Sequence, residues 1–375
     1  MDTQADSDAS SLLAPRPSFG RVAVIHDWLT GMRGGEEVLE GILDIVPEAE
    51  IFTLFHFPGS VSKAIESRTI RTSRLQNVAR RAHDYRELLP LFPGAVRRWD
   101  LSGFDLIVSS SHCVAKGVSA LGKPHVCYCH TPMRYVWDRF DDYFPRTKPF
   151  VRAAMSLIAP RLRRWDVDTA EGVTRFVANS NFVRGRIEQY YLREAEVIHP
   201  FVAEEFLAAP LREEREDFDL IVSALVPYKR IDLAMATGRR LIVIGNGPAG
   251  KALQAAAGPN VTFLGSVSRA VIVDHLSRAR AVILPGVEDF GIVPLEAMAL
   301  GTPVVAFRAG GALDSVVEGT TGIFFDEPAV DSLRQALEKV DGRGWDRAAI
   351  RAHAAAFSRA RFTHQLQETL RQVTA

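Results

Sequence analysis

Absences narrow this chain first. Three cysteines in 375 residues, Cys113, Cys127 and Cys129, are too few and too odd in number for a paired disulfide framework, so a reducing compartment is expected. Cys127 and Cys129 with nearby His125 invite a zinc reading, but no second Cys/His cluster at ligand spacing completes it, and buried core cysteines fit better. No apolar run approaches the ~20 residues that a membrane-spanning helix needs, which points to a soluble or peripheral protein. Net charge is also missing: 45 Lys and Arg balance 45 Asp and Glu, which speaks against nucleic-acid binding by the chain as a whole. The first eighteen residues are acidic and rich in Ser, Ala and Pro, lack an apolar signal-peptide core, and read as a disordered leader.

What is present is an alternation of short apolar runs with helical patterns. At 47% hydrophobic residues the chain is too long for one ordinary core, so two domains are expected. The runs 21–26, 50–55, 105–109, 125–129, 175–178 and 196–198 read as strands of a first domain over 19–202. Residues 203–217, acid-rich and broken by Pro210, read as a linker. A second series, 220–224, 240–244, 261–264, 281–284, 303–307 and 322–325, forms a second domain over 218–355. The chain then closes with a helical tail, 354–373. Continuous apolar strands separated by helices mean parallel sheets covered on both faces, so the fold class is α/β: two Rossmann-like, doubly wound domains facing a cleft. Ligands in such sheets bind beyond the carboxyl ends of the strands.

The loop after the run 281–284 carries the strongest pattern. Gly286-Val-Glu288-Asp-Phe290-Gly291-Ile292-Val293-Pro-Leu-Glu296 places two carboxylates around a segment that ends where a helix begins. Free N–H groups at a helix start attract an anion. Carboxylates beside an anion are tolerable only where they meet hydroxyls or a developing positive charge, and sugars, ribose and a glycosyl transition state offer both. The segment therefore reads as a nucleotide-sugar site, against the plainer reading of two solvated glutamates at a loop.

Other motifs leave two readings each. Lys229-Arg230, after the run 220–224, can hold a diphosphate, Lys as a point charge and Arg as a fork, or form a solvated basic turn. Gly34-Gly35 at a helix start lets a phosphate approach the backbone, although the dinucleotide fingerprint is absent. Gly245-Asn-Gly-Pro-Ala-Gly250-Lys251 nearly spells a phosphate loop. Ala252 stands where the metal-binding hydroxyl belongs, which excludes ATP hydrolysis. His130, at a strand tip, is either a cleft-facing hydrogen-bond partner or a structural histidine. Asp141-Asp142 could be imagined as metal ligands but reads as a solvated loop. Arg152, Arg161, Arg163 and Arg164 alternate with apolar residues and no acid falls between 151 and 165; with Arg80, Arg81, Arg97 and Arg98 they make either an anionic-lipid surface or a solvated face.

These residues, in this order, resemble the retaining glycosyltransferases of family 4 (glycosyltransferase group 1), which have the GT-B fold. The most specific element is the Glu288-x7-Glu296 spacing in EDFGIVPLE; SALVPYKRID and HTPMRYVWD resemble the mannosyltransferase-like branch of O-antigen and exopolysaccharide synthesis. The resemblance implies that Glu296 binds the ribose hydroxyls and Glu288 sits by the donor sugar. It implies that the backbone of Phe290, Gly291, Ile292 and Val293 cradles sugar and diphosphate, and that Lys229, with Arg230, neutralises the leaving group. Gly265, Ser266 and Val267 would contact the base, Gly34 and Gly35 would border the phosphates, His130 would touch the transferred sugar, and the final helix, 356–375, would cross back onto the first domain. Many members carry an Arg where this chain has Ala224, which moves phosphate binding onto Arg230. The implied activity is transfer of mannose from GDP-mannose to a lipid-linked saccharide, without metal or other cofactor. The implied setting is the cytoplasmic face of an anionic membrane, reached by peripheral contact. A UDP-sugar donor, a GT-B epimerase or phosphorylase, and a non-catalytic sugar-nucleotide-binding subunit are the competing readings.

Overall fold

The computed structural model describes residues 19–78, 85–144, 146–147, 149–212 and 214–375, with the backbone alone for 85–87. The leader 1–18 and the Arg80-Arg81 pair of the basic stretch lie outside the described residues.

The apolar runs become two all-parallel sheets. The first contains β1 (Val22–His26), β2 (Glu50–Thr53), β3 (Ile70–Thr72), β4 (Leu106–Ser111), β5 (His125–Cys129), β6 (Arg175–Ala178) and β7 (Ala195–Val197), in the order β3-β2-β1-β4-β5-β6-β7. The second contains β8 (Asp219–Val222), β9 (Leu241–Ile244), β10 (Val261–Gly265), β11 (Ala281–Leu284), β12 (Val304–Phe307) and β13 (Gly322–Phe325), in the order β10-β9-β8-β11-β12-β13. In each sheet the strand order reverses direction beside the first strand, which opens a crevice at the carboxyl ends.

Alternate residues of one strand enter different cores, which is why the central strands carry apolar residues on both faces. Val22 and Val24 of β1 pack with Val38, Leu39 and Ile42 of helix Gly34–Ile45, while Ala23 and Ile25 pack with Phe92, Met155 and Leu162 on the opposite face. Likewise Leu220 and Val282 join Leu295 and Met298 on one side of the second sheet, and Ile221 and Ile283 join Leu333 and Leu337 on the other. Cys113, Cys127 and Cys129 are buried and unpaired.

Three details depart from the sequence reading. Edge strand β3 was not expected: only three residues long and exposed at Arg71 and Thr72, it offers no apolar run. The expected linker contains a helical turn, Glu204–Ala208, whose Phe206 is buried in the second domain's core. The expected tail helix, 354–373, starts later, at Arg359, and follows a separate helix, Arg347–Ala355; the last helix runs Arg359–Thr374, because Phe357 turns inward and Ser358 caps a new helix through its hydroxyl. That last helix lies on the first domain. Phe362, Leu366 and Leu370 are fully buried beside Val38 and Leu39, Phe362 stands 5.2 Å from the Phe201 ring, and Arg359 Nε donates to Asp44 at 2.6 Å.

Candidate active site

β11 delivers the Glu288 loop. The strand is buried along its length, and Gly286 follows at so close an approach to the β8 loop that a Cβ there would lie 2.4 Å from the Tyr228 carbonyl. This contact brings Lys229 to Glu288, and the ammonium donates to Glu288 Oε1. Burial, then Arg134 and Arg139, pull the Lys229 pKa down to about 7, and the Glu288 carboxylate works in the opposite direction. Phe290 anchors the loop in the core, with its ring 5.5 Å from His199. Gly291 adopts φ +84, a left-handed conformation that favours glycine, before helix Val293–Ala299 begins.

Glu296 lies inside that helix. Burial and neighbouring Glu37 push its pKa up to about 8, against the opposing pull of Arg269. Arg269 forms a fork that sequence reasoning missed: Nη1 donates to Glu37 of the first domain at 2.5 Å, Nε pairs with Glu205, and Nη2 lies 3.9 Å from Glu296.

The first domain closes the other side. A Cβ on Gly34 would lie 2.7 Å from Ile292 Cδ1, so the glycine pair abuts the Glu288 loop, and a Cβ on Gly35 would lie 3.9 Å from His130 Nε2. His130 Nε2 bonds Ser110 Oγ at 2.8 Å, which bonds His26 Nδ1 at 3.0 Å. Burial, with His112 and His26 close by, holds the His130 pKa well below the ordinary imidazole value, so the ring is neutral. Asp27 organises the loop beneath: its carboxylate accepts backbone N–H bonds from His112, Cys113, Val114 and Ala115 at 2.7–2.9 Å.

The structure thus brings together Gly34, Gly35, His130, Lys229, Glu288, Phe290, Gly291, Ile292 and Val293, with Glu296 reached through Arg269. Gly265, Ser266 and Val267 lie on the far flank at the carboxyl end of β10, where Ser266 Oγ and the Asn246 amide meet at 2.8 Å. Arg230 is not brought in. It adopts a left-handed φ of +52, and its guanidinium pairs with Asp232 at 3.2–3.3 Å, half exposed. Asp289, unremarked in the sequence, is gripped from across the cleft by Arg134 and by Arg186 Nη1 at 2.8 Å, while its carbonyl accepts from Ser180 Oγ at 2.5 Å. No single local pattern links these residues; they meet because the two sheets face each other. Among the described residues no group of His, Cys, Asp and Glu side chains is placed to hold a metal; Asp141 pairs with Arg152, and Asp142 lies near Arg139.

Comparison with known proteins gives this geometry a context. Residues 52–206 match the family model described as Glycosyltransferase Family 4, and residues 203–341 match that described as Glycosyl transferases group 1. The two matches fall one on each parallel sheet, and the two facing Rossmann-like sheets make a GT-B architecture. A D-inositol 3-phosphate glycosyltransferase from Mycobacterium sp. (strain KMS) is 32% identical over 165 residues, covering 39% of this chain and 37% of that protein. A GDP-mannose-dependent alpha-(1-6)-phosphatidylinositol monomannoside mannosyltransferase from Mycobacterium tuberculosis (strain ATCC 25618 / H37Rv) is 32% identical over 139 residues, 34% of this chain and 35% of that protein. The chain thus spans little more than a third of the length of these curated relatives. Among solved structures, Anabaena HepE in complex with UDP and glucose superposes with a TM-score of 0.69 at 18% identity, over 94% of this chain and 99% of that one, a likeness of fold.

Proposed function

We propose that this protein is a retaining glycosyltransferase that moves a hexose, mannose from GDP-mannose, onto a lipid-linked saccharide in cell-surface polysaccharide synthesis. The observation that carries this reading is the Lys229–Glu288 pair at the head of a loop whose Ile292 abuts the Gly34-Gly35 turn, itself beside a neutral His130. Lys229 meets the departing diphosphate, Glu288 faces the oxocarbenium-like sugar, and neutral His130 exchanges a hydrogen bond with a sugar hydroxyl. The barrier falls chiefly through charges fixed in advance around the leaving group. No side chain stands out as a nucleophile, so attack on the face that the diphosphate leaves is favoured over a covalent intermediate. Glu296, protonated to a large extent at neutral pH, can both donate to and accept from ribose hydroxyls.

The GDP-mannose assignment leans on the mannosyltransferase relative, and the UDP held by HepE supports a UDP-sugar donor as the second reading. Contact with an anionic membrane is supported by helix Pro149–Asp168, on whose outer face Phe150 is 89% and Leu157 77% exposed, with Arg161 and Arg164 exposed beyond them. Among the described residues no helix is long and apolar enough to cross a membrane. Hydrolysis of a panel of GDP- and UDP-sugars by the purified protein tests the donor assignment: GDP release from GDP-mannose alone supports it, and UDP release overturns the mannose reading.

A further inference from the structure

A nucleoside diphosphate brings more negative charge than one ammonium balances, and Lys229 already shares its charge with Glu288. The other cation adjacent in sequence, Arg230, lines a neighbouring cavity with its guanidinium paired to Asp232. Positive charge is nevertheless concentrated at this seam. The Arg139 guanidinium stands 4.6 Å from the centroid of the Tyr228 ring, Lys229 Nζ 5.5 Å and the Arg134 guanidinium 5.9 Å. Tyr228 and Lys229 come from the second domain, Arg134 and Arg139 from the first.

Arg134 and Arg139 differ in how they are held. Arg139 lies 3.6 Å from both Asp138 and Asp142 and lines an open cavity of about 410 Å³ together with Asp142, Tyr228 and Arg230. Arg134 is fixed across the seam instead. Its Nη1 donates to the Tyr228 hydroxyl at 3.2 Å, and its Nη2 pairs with Asp289, the residue next to Glu288. Asp289 is itself fixed, because Arg186 Nη1 reaches it at 2.8 Å while also donating to Thr131 Oγ1 at 2.5 Å, and Arg186 Nη2 pairs with Asp138. A guanidinium anchored by two partners in this way is pre-oriented, and its planar fork suits a phosphate.

We propose that Arg134 is the second cation of the leaving-group site, contacting the diphosphate from the first domain opposite Lys229, with Asp289 and Tyr228 holding its guanidinium in position. This inference rests on the reading of the cleft as a nucleotide-sugar site. It makes that site complete only when the two domains are together, and it assigns Asp289 a positioning role that no contact with substrate requires.

The test is calorimetric binding of GDP and GMP, and of UDP and UMP, to the full chain and its variants. The wild type is expected to prefer diphosphate over monophosphate by roughly tenfold or more, as charge-assisted phosphate contacts imply. Arg134→Ala should lower that preference by roughly tenfold and leave monophosphate affinity within about threefold. Arg230→Ala should lower it less than Arg134→Ala does. Arg334→Ala, an exposed cation paired with Asp331 on an outer helix, controls for net charge. If Arg134→Ala proves unfolded by circular dichroism, Arg134→Gln retains a donor for Asp289 without the charge and should show the same loss. An unchanged diphosphate preference in a folded Arg134 variant, or an equal loss in Arg230→Ala, overturns the assignment while leaving the site reading intact. A wild type that binds none of the four nucleotides overturns both.

Discussion

An incoming diphosphate must compete with Glu288 for Lys229, and this competition predicts an unusual phenotype for Glu288→Gln. Two unit charges about 4 Å apart interact by ~4 kcal/mol at the effective dielectric of ~20 that suits partly buried pairs. After desolvation, a charge-assisted hydrogen bond retains about 1.5–3 kcal/mol. Freeing the ammonium from its carboxylate should return part of that energy to ligand binding, so at acid pH, where the ammonium stays charged, GDP is expected to bind E288Q roughly 3- to 30-fold more tightly than wild type. Donor turnover should move the other way, falling roughly 10²–10³-fold, the size seen when one preorganised electrostatic group is removed. The pH dependence adds a signature. Burial and the Arg134 and Arg139 guanidiniums draw Lys229 down to about 7, and E288Q loses the carboxylate that opposes them. Lysine is charged below its pKa, so GDP affinity in the wild type should weaken as pH rises through about 7, and in E288Q the same step should fall at lower pH. Calorimetry at several pH values reads affinity, and nucleotide release from the donor reads turnover. Weaker GDP binding by E288Q at acid pH, or turnover equal to wild type, would refute the reasoning.

Three further outcomes are expected. Glu296 has a folded-state pKa of about 8 against 4.5 when free, so its ionisation costs the fold nothing below about 4.5, progressively more between 4.5 and 8, and a constant amount above. Glu296→Gln should therefore raise the melting temperature by a few degrees at pH 8.5 and by less at pH 5, and an equal shift at both pH values would contradict the buried-carboxyl account. Phe362→Ala should cost about 3–5 kcal/mol in chemical denaturation and speed hydrogen exchange in helix Arg359–Thr374, because its ring is packed against Phe201 and Tyr128; normal stability would show that the helix is not anchored there. Replacing Phe150 and Leu157 together by Glu should lower cosedimentation with phosphatidylglycerol–phosphatidylcholine vesicles by roughly tenfold, and undiminished binding would remove this face from the membrane reading.

The fold was legible because most buried strands contain a short apolar run with no polar alternation, as in VAVIH and AVIL, and because two such series are separated by an acid-rich stretch. β3 was not, since Ile70-Arg71-Thr72 draws its stability from pairing with Ile51 and Phe52 and has almost no apolar surface of its own. Within the site, Glu288, Glu296 and Lys229 stand out because they share a spacing or sit directly after a strand. Arg134, Arg186, Arg269 and Asp289 do not, since each takes its meaning from a partner in the opposite domain, and such partnership leaves no periodicity behind. Arg230 shows the converse. Its neighbour in sequence, Lys229, enters the cleft, whereas a left-handed backbone at Arg230 carries the next side chain out to Asp232.

The most direct test of the central claim is release of nucleoside diphosphate from a panel of GDP- and UDP-sugars, measured for the wild type beside Lys229→Ala. Release of GDP from GDP-mannose, reduced roughly 10²–10³-fold in the variant, is the predicted result. Release that is unaffected by loss of Lys229, or a wild type that neither hydrolyses nor binds any donor on the panel, would contradict the account.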